Sequence, residues 1–390
     1  EGVRPHGRRL DSLLPRGLLG APPTSSVQDW SETPSALSDR CRPIRAARGR
    51  IPTSSPHLRM SLRIEGIGLA VPEQSITQAN AAEMMVGLLH RGGGRETTVR
   101  ALYKRSGIQT RHSVLLASGE PRQAFYRPAE TSSDEGPSTA RRMEVFEAAA
   151  PGLLHRAAED ALDQSDLRPG DVTHLITVSC TGVYSPGLDA SLIQTLGLSR
   201  SIERTHVGFM GCHGVLNGLR VARSFAESDP SARVLVGAVE LCSLHMSYRW
   251  DPDAIVTNAL FADGAAALVG SGAPRHADDE PWRVAAQGTL LLPNSSDAMT
   301  WKVGDHGFRM TLSAGVPSLI ESHVGKWLTE WLAGHDLGME DIRSWAVHPG
   351  GHACSPRSVR PWASTGPSWT CLATSSPSTA TCPQRRSSSS

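Results

Sequence analysis

The sequence predicts a layered α/β protein, and three observations carry that class. Short apolar runs of strand length alternate with longer segments whose apolar residues recur at helical spacing. Residues 234–241 read as the apolar strand that a sheet covered on both faces requires. Residues 204–229 run as strand, glycine-flanked corner and helix, with Cys212 at the tip of the corner. A chain of 390 residues with a formal charge of +1 has enough length for a sizeable core. No apolar run approaches the ~20 residues that cross a bilayer, and nothing in the charge pattern points to nucleic acid.

In chain order, residues 1–59 are rich in arginine, proline and serine, lack lysine, and hold no sustained period. They are expected to be disordered, as translated upstream sequence ahead of Met60; a transit peptide is the other reading. Residues 62–70 then read as a strand, 78–90 as a helix, and 99–107 as a second helix with a basic face. Gly-, Pro- and Ser-rich loops fall at 92–95 and 116–138. A long helix is expected over 139–163, with Pro151 kinking it. Residues 174–179 form a buried strand, 191–196 a helix and 204–210 a short strand. The next helix carries Val215, Leu216, Leu219, Ala222, Phe225 and Ala226 at core spacing. A second half opens at 282–292 and contains an amphipathic helix over 316–332.

The corner gives Cys212 its interest. At a helix N-terminus the free backbone N–H groups and the helix dipole favour an anion, so the thiol is expected to be acidified. Burial as a small hydrophobe is the alternative for any single cysteine, and Cys212 with His213 as metal ligands is a further one. The seven cysteines show no CxxC pair, which supports neither a zinc site nor a disulfide framework, so a reducing cytoplasm is the default.

Five blocks then agree in order and spacing: residues 61–68, 171–198 with its SCTGVYSPG segment, 207–223 around Cys212, 260–270 with LFADGAAA, and 345–351 with HPGG. Together they resemble the type III polyketide synthases, the chalcone and stilbene synthases and their bacterial relatives in the thiolase superfamily. The resemblance spans residues 60–351. It implies a thiolase-like αβαβα fold in two related halves, here 60–272 and 282–351, and a homodimer. It also implies iterative decarboxylative condensation of malonyl-CoA onto an acyl-CoA starter, with no cofactor. Cys212 is then the nucleophile and His348 its partner; a core histidine before a turn is the other reading for His348. Phe261 matches the gate aromatic, with an ordinary core Phe as its alternative. Cys180, Ser185, Cys242 and His245 match chamber positions, and Arg105 a contact to the CoA phosphates or else a solvated helix charge. Cysteine at 180 and the ELCSLH form look like the bacterial branch, which suggests a fatty acyl or small aromatic starter and an alkylresorcinol or alkylpyrone product. An initiating β-ketoacyl-ACP synthase shares the chemistry and is the nearest rival.

The resemblance stops at Gly351. The family carries a Gly-Asn-Met-Ser-Ser block about thirty residues later, whose asparagine is a second donor at the malonyl oxygen. Residues 378–384 read STATCPQ instead. A frame taking the last base of each codon with the first two of the next allows Gly-Asn-Met-Ser-Ser there, so 352–390 are expected to be a frameshifted tail and the C-terminal half truncated. An inactive product of a broken gene is the reading from outside the enzyme class.

Overall fold

A computed structural model describes residues 60–89, 95–116, 125–274, 282–348 and 369–371. The expectations for residues 1–59 and for most of 352–390 lie outside the described residues.

The first region is built on one mixed sheet. Strand β1 (Met60–Ala70) is followed by β2 (Ser75–Thr77), α1 (Gln78–Leu88), α2 (Arg95–Arg105) and β3 (Thr110–His112). Thr77 caps α1 by accepting from the Asn80 N–H at 3.2 Å. Helix α3 (Thr139–Asp163) has the predicted bounds; Ser138 caps it, and it runs as one helix through Pro151. Then come β4 (His174–Ser179), α4 (Leu188–Leu196), β5 (Glu203–Gly208), α5 (Gly214–Ser228), β6 (Arg233–Leu241), α6 (Pro252–Leu260) and β7 (Asp263–Pro274). The sheet order is β5-β4-β6-β7-β1-β8, where β8 is Arg283–Val284. The β5-β4-β6 pairings are parallel and the β6-β7, β7-β1 and β1-β8 pairings antiparallel.

Two helices sandwich this sheet. Ala150, Leu153, Leu154, Ala157, Ala158 and Ala161 of α3 bury against Leu175, Leu235, Val239, Ala267 and Val269 on one face. The approach is close enough that a Cβ on Gly68 would lie 2.0 Å from the Ala157 carbonyl oxygen, so only glycine fits there. On the other face α5 meets Ile176, Val178, Val234 and Val236.

Here the structure corrects the predicted helix face. The buried residues of α5 are Gly214, Gly218, Ala222 and Ala226, four apart, whereas Leu216 is 59% exposed and Val215 is also exposed. Small residues let the helix axis approach the sheet: a Cβ on Gly218 would lie 3.1 Å from Val178. The larger apolar residues at 215 and 216 point elsewhere.

The second region departs further from expectation. Residues 283–284 extend the first sheet at its β1 edge and do not open a new one. Hairpin β9 (Met299–Gly304) and β10 (Gly307–Leu312) follows, then α7 (Val316–Ala333) and β11 (Trp345–Val347), which pairs in parallel with β12 (Trp369–Cys371). Only Leu332 of α7 is buried. Among the described residues no helix is long and apolar enough to cross a membrane.

Candidate active site

Three strand ends of the sheet, the end of α6 and the β9-β10 hairpin converge on one cavity of about 1020 Å³. Past β4 lie Cys180 and Thr181; past β5, the corner that bears Cys212; past β6, a 3₁₀ turn from Cys242 to His245; at the end of α6, Phe261. His348 follows β11 into the same wall. Cys180, Cys212, Cys242, His245, Phe261 and His348 thus share one chamber. Ser185 and Arg105 are exposed and lie outside its lining, so these two are not gathered with the rest.

The corner is tight. Phe209 has φ +53 and Gly211 φ +67, and residues 211–213 make one 3₁₀ turn before α5 begins. A left-handed conformation at a bulky residue is costly, and it turns the chain sharply enough to present the next side chains to the cavity. Cys212 therefore sits just ahead of the helix N-terminus, as expected.

Its acidity is not as expected. Desolvation pushes the Cys212 thiol up, and the charge of Glu240 adds to the rise; a bond from its own backbone N–H opposes both. Cys212 opens to the cavity, but the surrounding wall removes more solvation than the helix terminus returns. Burial, and then Glu240, also raise Cys180 and Cys242. Cys180 Sγ accepts the Gly211 N–H at 3.2 Å, which ties the end of β4 to the corner that bears Cys212.

Glu240 was not legible as a site residue. Reading 234–241 as one apolar run passes over its single charge, and that charge near the strand end was the available signal. Its buried carboxylate accepts from the Cys180 N–H at 2.9 Å, the Thr181 hydroxyl at 2.6 Å and the Ser179 hydroxyl at 3.5 Å. Burial pushes its carboxyl up to about 7, against these hydrogen bonds.

His245 is a joint more than a free imidazole. Its Nε2–H donates to the Thr181 carbonyl at 2.7 Å, and its Nδ1 accepts the Phe308 N–H at 2.9 Å. Both nitrogens are committed, and burial lowers the ring to about 4. The ring stacks on Phe308 at 4.2 Å, and Trp301 Nε1–H donates to the Cys180 carbonyl at 2.7 Å. Together they pin the hairpin to the chamber wall. Burial lowers His348 too, which leaves it neutral near pH 7. Among the described residues no hydrogen bond joins His348 to Cys212. Asp263 is buried and accepts from the Ser243 N–H and the Val114 N–H, both at 2.8 Å.

The chamber can hold an acyl group on a thiol in a largely apolar space whose wall also carries an imidazole and a protonatable carboxyl. Comparison with known proteins points the same way. The family model "Chalcone and stilbene synthases, N-terminal domain" matches residues 59–274. The alpha-pyrone synthesis polyketide synthase-like Pks18 of Mycobacterium tuberculosis is 32% identical over 299 residues, covering 76% of this chain and 74% of the relative. The 1,3,6,8-tetrahydroxynaphthalene synthase of Streptomyces peucetius is 31% identical over 292 residues, covering 74% and 73%. Among solved structures, PKS-I of the brown alga Ectocarpus siliculosus superposes with a TM-score of 0.70 at 27% identity, covering 80% of this chain and 86% of that one. The C-terminal type III polyketide synthase domain of Steely1 from Dictyostelium gives 0.68 at 27% identity, covering 77% and 82%.

Proposed function

The chain belongs to the chalcone and stilbene synthase family, the type III polyketide synthases with their thiolase-like α/β fold, and on that premise we propose how its own residues carry out iterative condensation of malonyl-CoA onto an acyl-CoA starter. The observation that carries the proposal is the meeting of Cys212, His348 and Phe261 in one cavity.

The Cys212 sulfur attacks the starter thioester carbonyl. The acyl–sulfur bond to CoA breaks, CoA leaves as the thiol, and the acyl group stays on Cys212. The Cys212 thiol proton passes to neutral His348 and on to the leaving sulfur. His348 then donates to the thioester oxygen of malonyl-CoA while the C–C bond to the departing CO2 breaks. The enolate carbon attacks the acyl carbonyl, the acyl–sulfur bond to Cys212 breaks to leave its thiolate, and that thiolate takes the lengthened chain back from CoA for the next round. Phe261 separates the entry from the chamber, and Arg105 lies outside it, where the CoA phosphates would rest. A resting pair with a raised thiol and a lowered imidazole is a neutral pair, so charge develops only when substrate arrives. The reading needs no cofactor. It expects a homodimer in the cytoplasm.

A large apolar chamber favours a fatty acyl starter. Met84, Gly87 and Leu88 of α1, with Leu116 and Met246, carry its lining well beyond Cys212, and a long chain buries about 0.8 kcal/mol per CH2 there. Cys180 and Cys242 shape the inner wall, with His245 between them and the hairpin; Ser185 is left for a role outside the chamber.

The tail supports a second reading. Residues 378–384 lack the asparagine of the family's last block, and one lost donor typically costs about 10² to 10³ in rate. A frameshift after Gly351 accounts for this. The test is to incubate the chain as written, and a version with the frame restored after Gly351, with acyl-CoA thioesters of increasing length and labelled malonyl-CoA. Polyketide products from the restored chain, at a rate at least ~10²-fold above the chain as written, are expected. No CO2 release by either chain sinks the enzymatic reading. Dependence on a carrier protein, with a single extension, would favour the ketoacyl-ACP synthase instead.

A further inference from the structure

Helix α6 ends at Phe261, and the last carbonyls of a helix have no partners within it. Two side chains from elsewhere supply them. Arg111, at the middle of β3, sends Nη1–H to the Asn258 carbonyl at 2.7 Å and Nη2–H to the Ala259 carbonyl at 2.5 Å. Gln78 Nε2–H reaches the same Ala259 carbonyl at 2.8 Å, and the Gln78 carbonyl oxygen accepts from Arg111 Nε–H at 3.0 Å. Gln78 Nε2–H also donates to the Ser106 hydroxyl at 2.8 Å, just past α2. The guanidinium lies 5.6 Å from the centre of the Tyr103 ring, and Arg111 is part of the cavity lining. A positive charge at a helix C-terminus is favoured by the dipole, and a planar fork fits two successive carbonyls as an ammonium cannot.

The far side of Phe261 is held by the same segment. Two residues on, the Asp263 carboxylate takes the Val114 N–H at 2.8 Å and the Ser243 N–H at 2.8 Å. Residues 111 and 114 therefore grip the chain before and after Phe261, at 258–259 and at 263. The aromatic ring is mounted at two points on one short stretch that itself lines the chamber at 111–113. This clamp brackets the single aromatic that the helix delivers to the cavity.

We propose that Arg111 is a positioning residue for the Phe261 gate: by holding the Asn258 and Ala259 carbonyls it sets how far the Phe261 ring closes the passage to Cys212. The proposal rests on the gate reading of Phe261 given above. It assigns Arg111 no contact with the reacting atoms.

The test reads access and not turnover, so it does not depend on the state of the tail. On the full chain, peptide mass mapping gives the rates at which Cys212 is alkylated by iodoacetamide and by the bulkier N-phenylmaleimide; the ratio of bulky to small reports the aperture. Phe261→Ala should raise this ratio. Arg111→Gln should raise it about 3-fold or more, and Arg111→Lys should behave like Gln because it cannot span both carbonyls. In the Phe261→Ala background Arg111→Gln should add little, since two changes acting through one ring do not multiply. Where Arg111→Gln fails to fold, Gln78→Leu removes the second donor to Ala259 and carries the same prediction. If Phe261→Ala leaves the ratio unchanged, the gate reading falls and this proposal with it. If Phe261→Ala moves the ratio while the Arg111 variants do not, or the two effects multiply, the gate stands and Arg111 is merely structural.

Discussion

The region from β1 to β7 and the region from β9 to β11 bury their helices very differently. In the first, α3 carries eight buried apolar residues into a continuous core; in the second, the 18-residue α7 buries only Leu332. Both helices are apolar on one face, so the difference lies in what they meet. Helix α3 meets a six-stranded sheet, whereas Trp327 and Trp331 of α7 approach the irregular segment at Gly288. An amphipathic helix gains little from its apolar face until another layer covers it. The chamber reflects the same imbalance. Cys212, Glu240 and Phe261 come from the first region; the second supplies His348, Trp301 and part of one wall.

Packing gives the sharpest test of that contrast. Leu154 is fully buried between α3 and the sheet, so Leu154→Ala should cost about 3 kcal/mol in chemical denaturation. Leu319→Ala, on the half-buried face of α7, should cost about 1 kcal/mol or less. Equal losses would mean that α7 is covered in solution by something that completes the second region.

Glu240 sharpens the electrostatic side. Its folded carboxyl stands near 7 against an ordinary 4.5. The protonated form is therefore the one the fold prefers, and its contribution is full below about 4.5 and lost as the pH rises through 7. Glu240→Gln should stabilise the protein at pH 8 by up to ~3 kcal/mol and leave it unchanged at pH 4. The same variant removes a negative charge that raises the Cys212 thiol. Alkylation of Cys212 at pH 8 should then quicken by about 2- to 5-fold, with wild type and variant alike at pH 5.5. A change of equal size at both pH values would assign the effect to packing and not to charge.

What could be read in advance follows the same division. Helix α3 and strand β4 have the predicted bounds because their period and their caps are local. The Cys212 corner was visible in its flanking glycines. The inner face of α5 was not, since close packing selects Gly214, Gly218, Ala222 and Ala226, which carry almost no hydrophobic signal. The thiol's direction also depended on distant chain: the wall that desolvates Cys212 comes from several strands, and Glu240 lies 28 positions away. The two bonds that commit His245 come from Thr181 and Phe308, each more than sixty residues off. No local pattern announces either effect.

Intact-mass and peptide mapping of the protein after incubation with a fatty acyl-CoA alone tests the central claim most directly. This step precedes decarboxylation, so it does not call on a second donor at the malonyl oxygen. The account predicts one acyl group per chain, on Cys212, absent in Cys212→Ala and reduced in His348→Gln. An adduct on Cys180 or Cys242 in place of Cys212, or none at all in a folded chain, would contradict it.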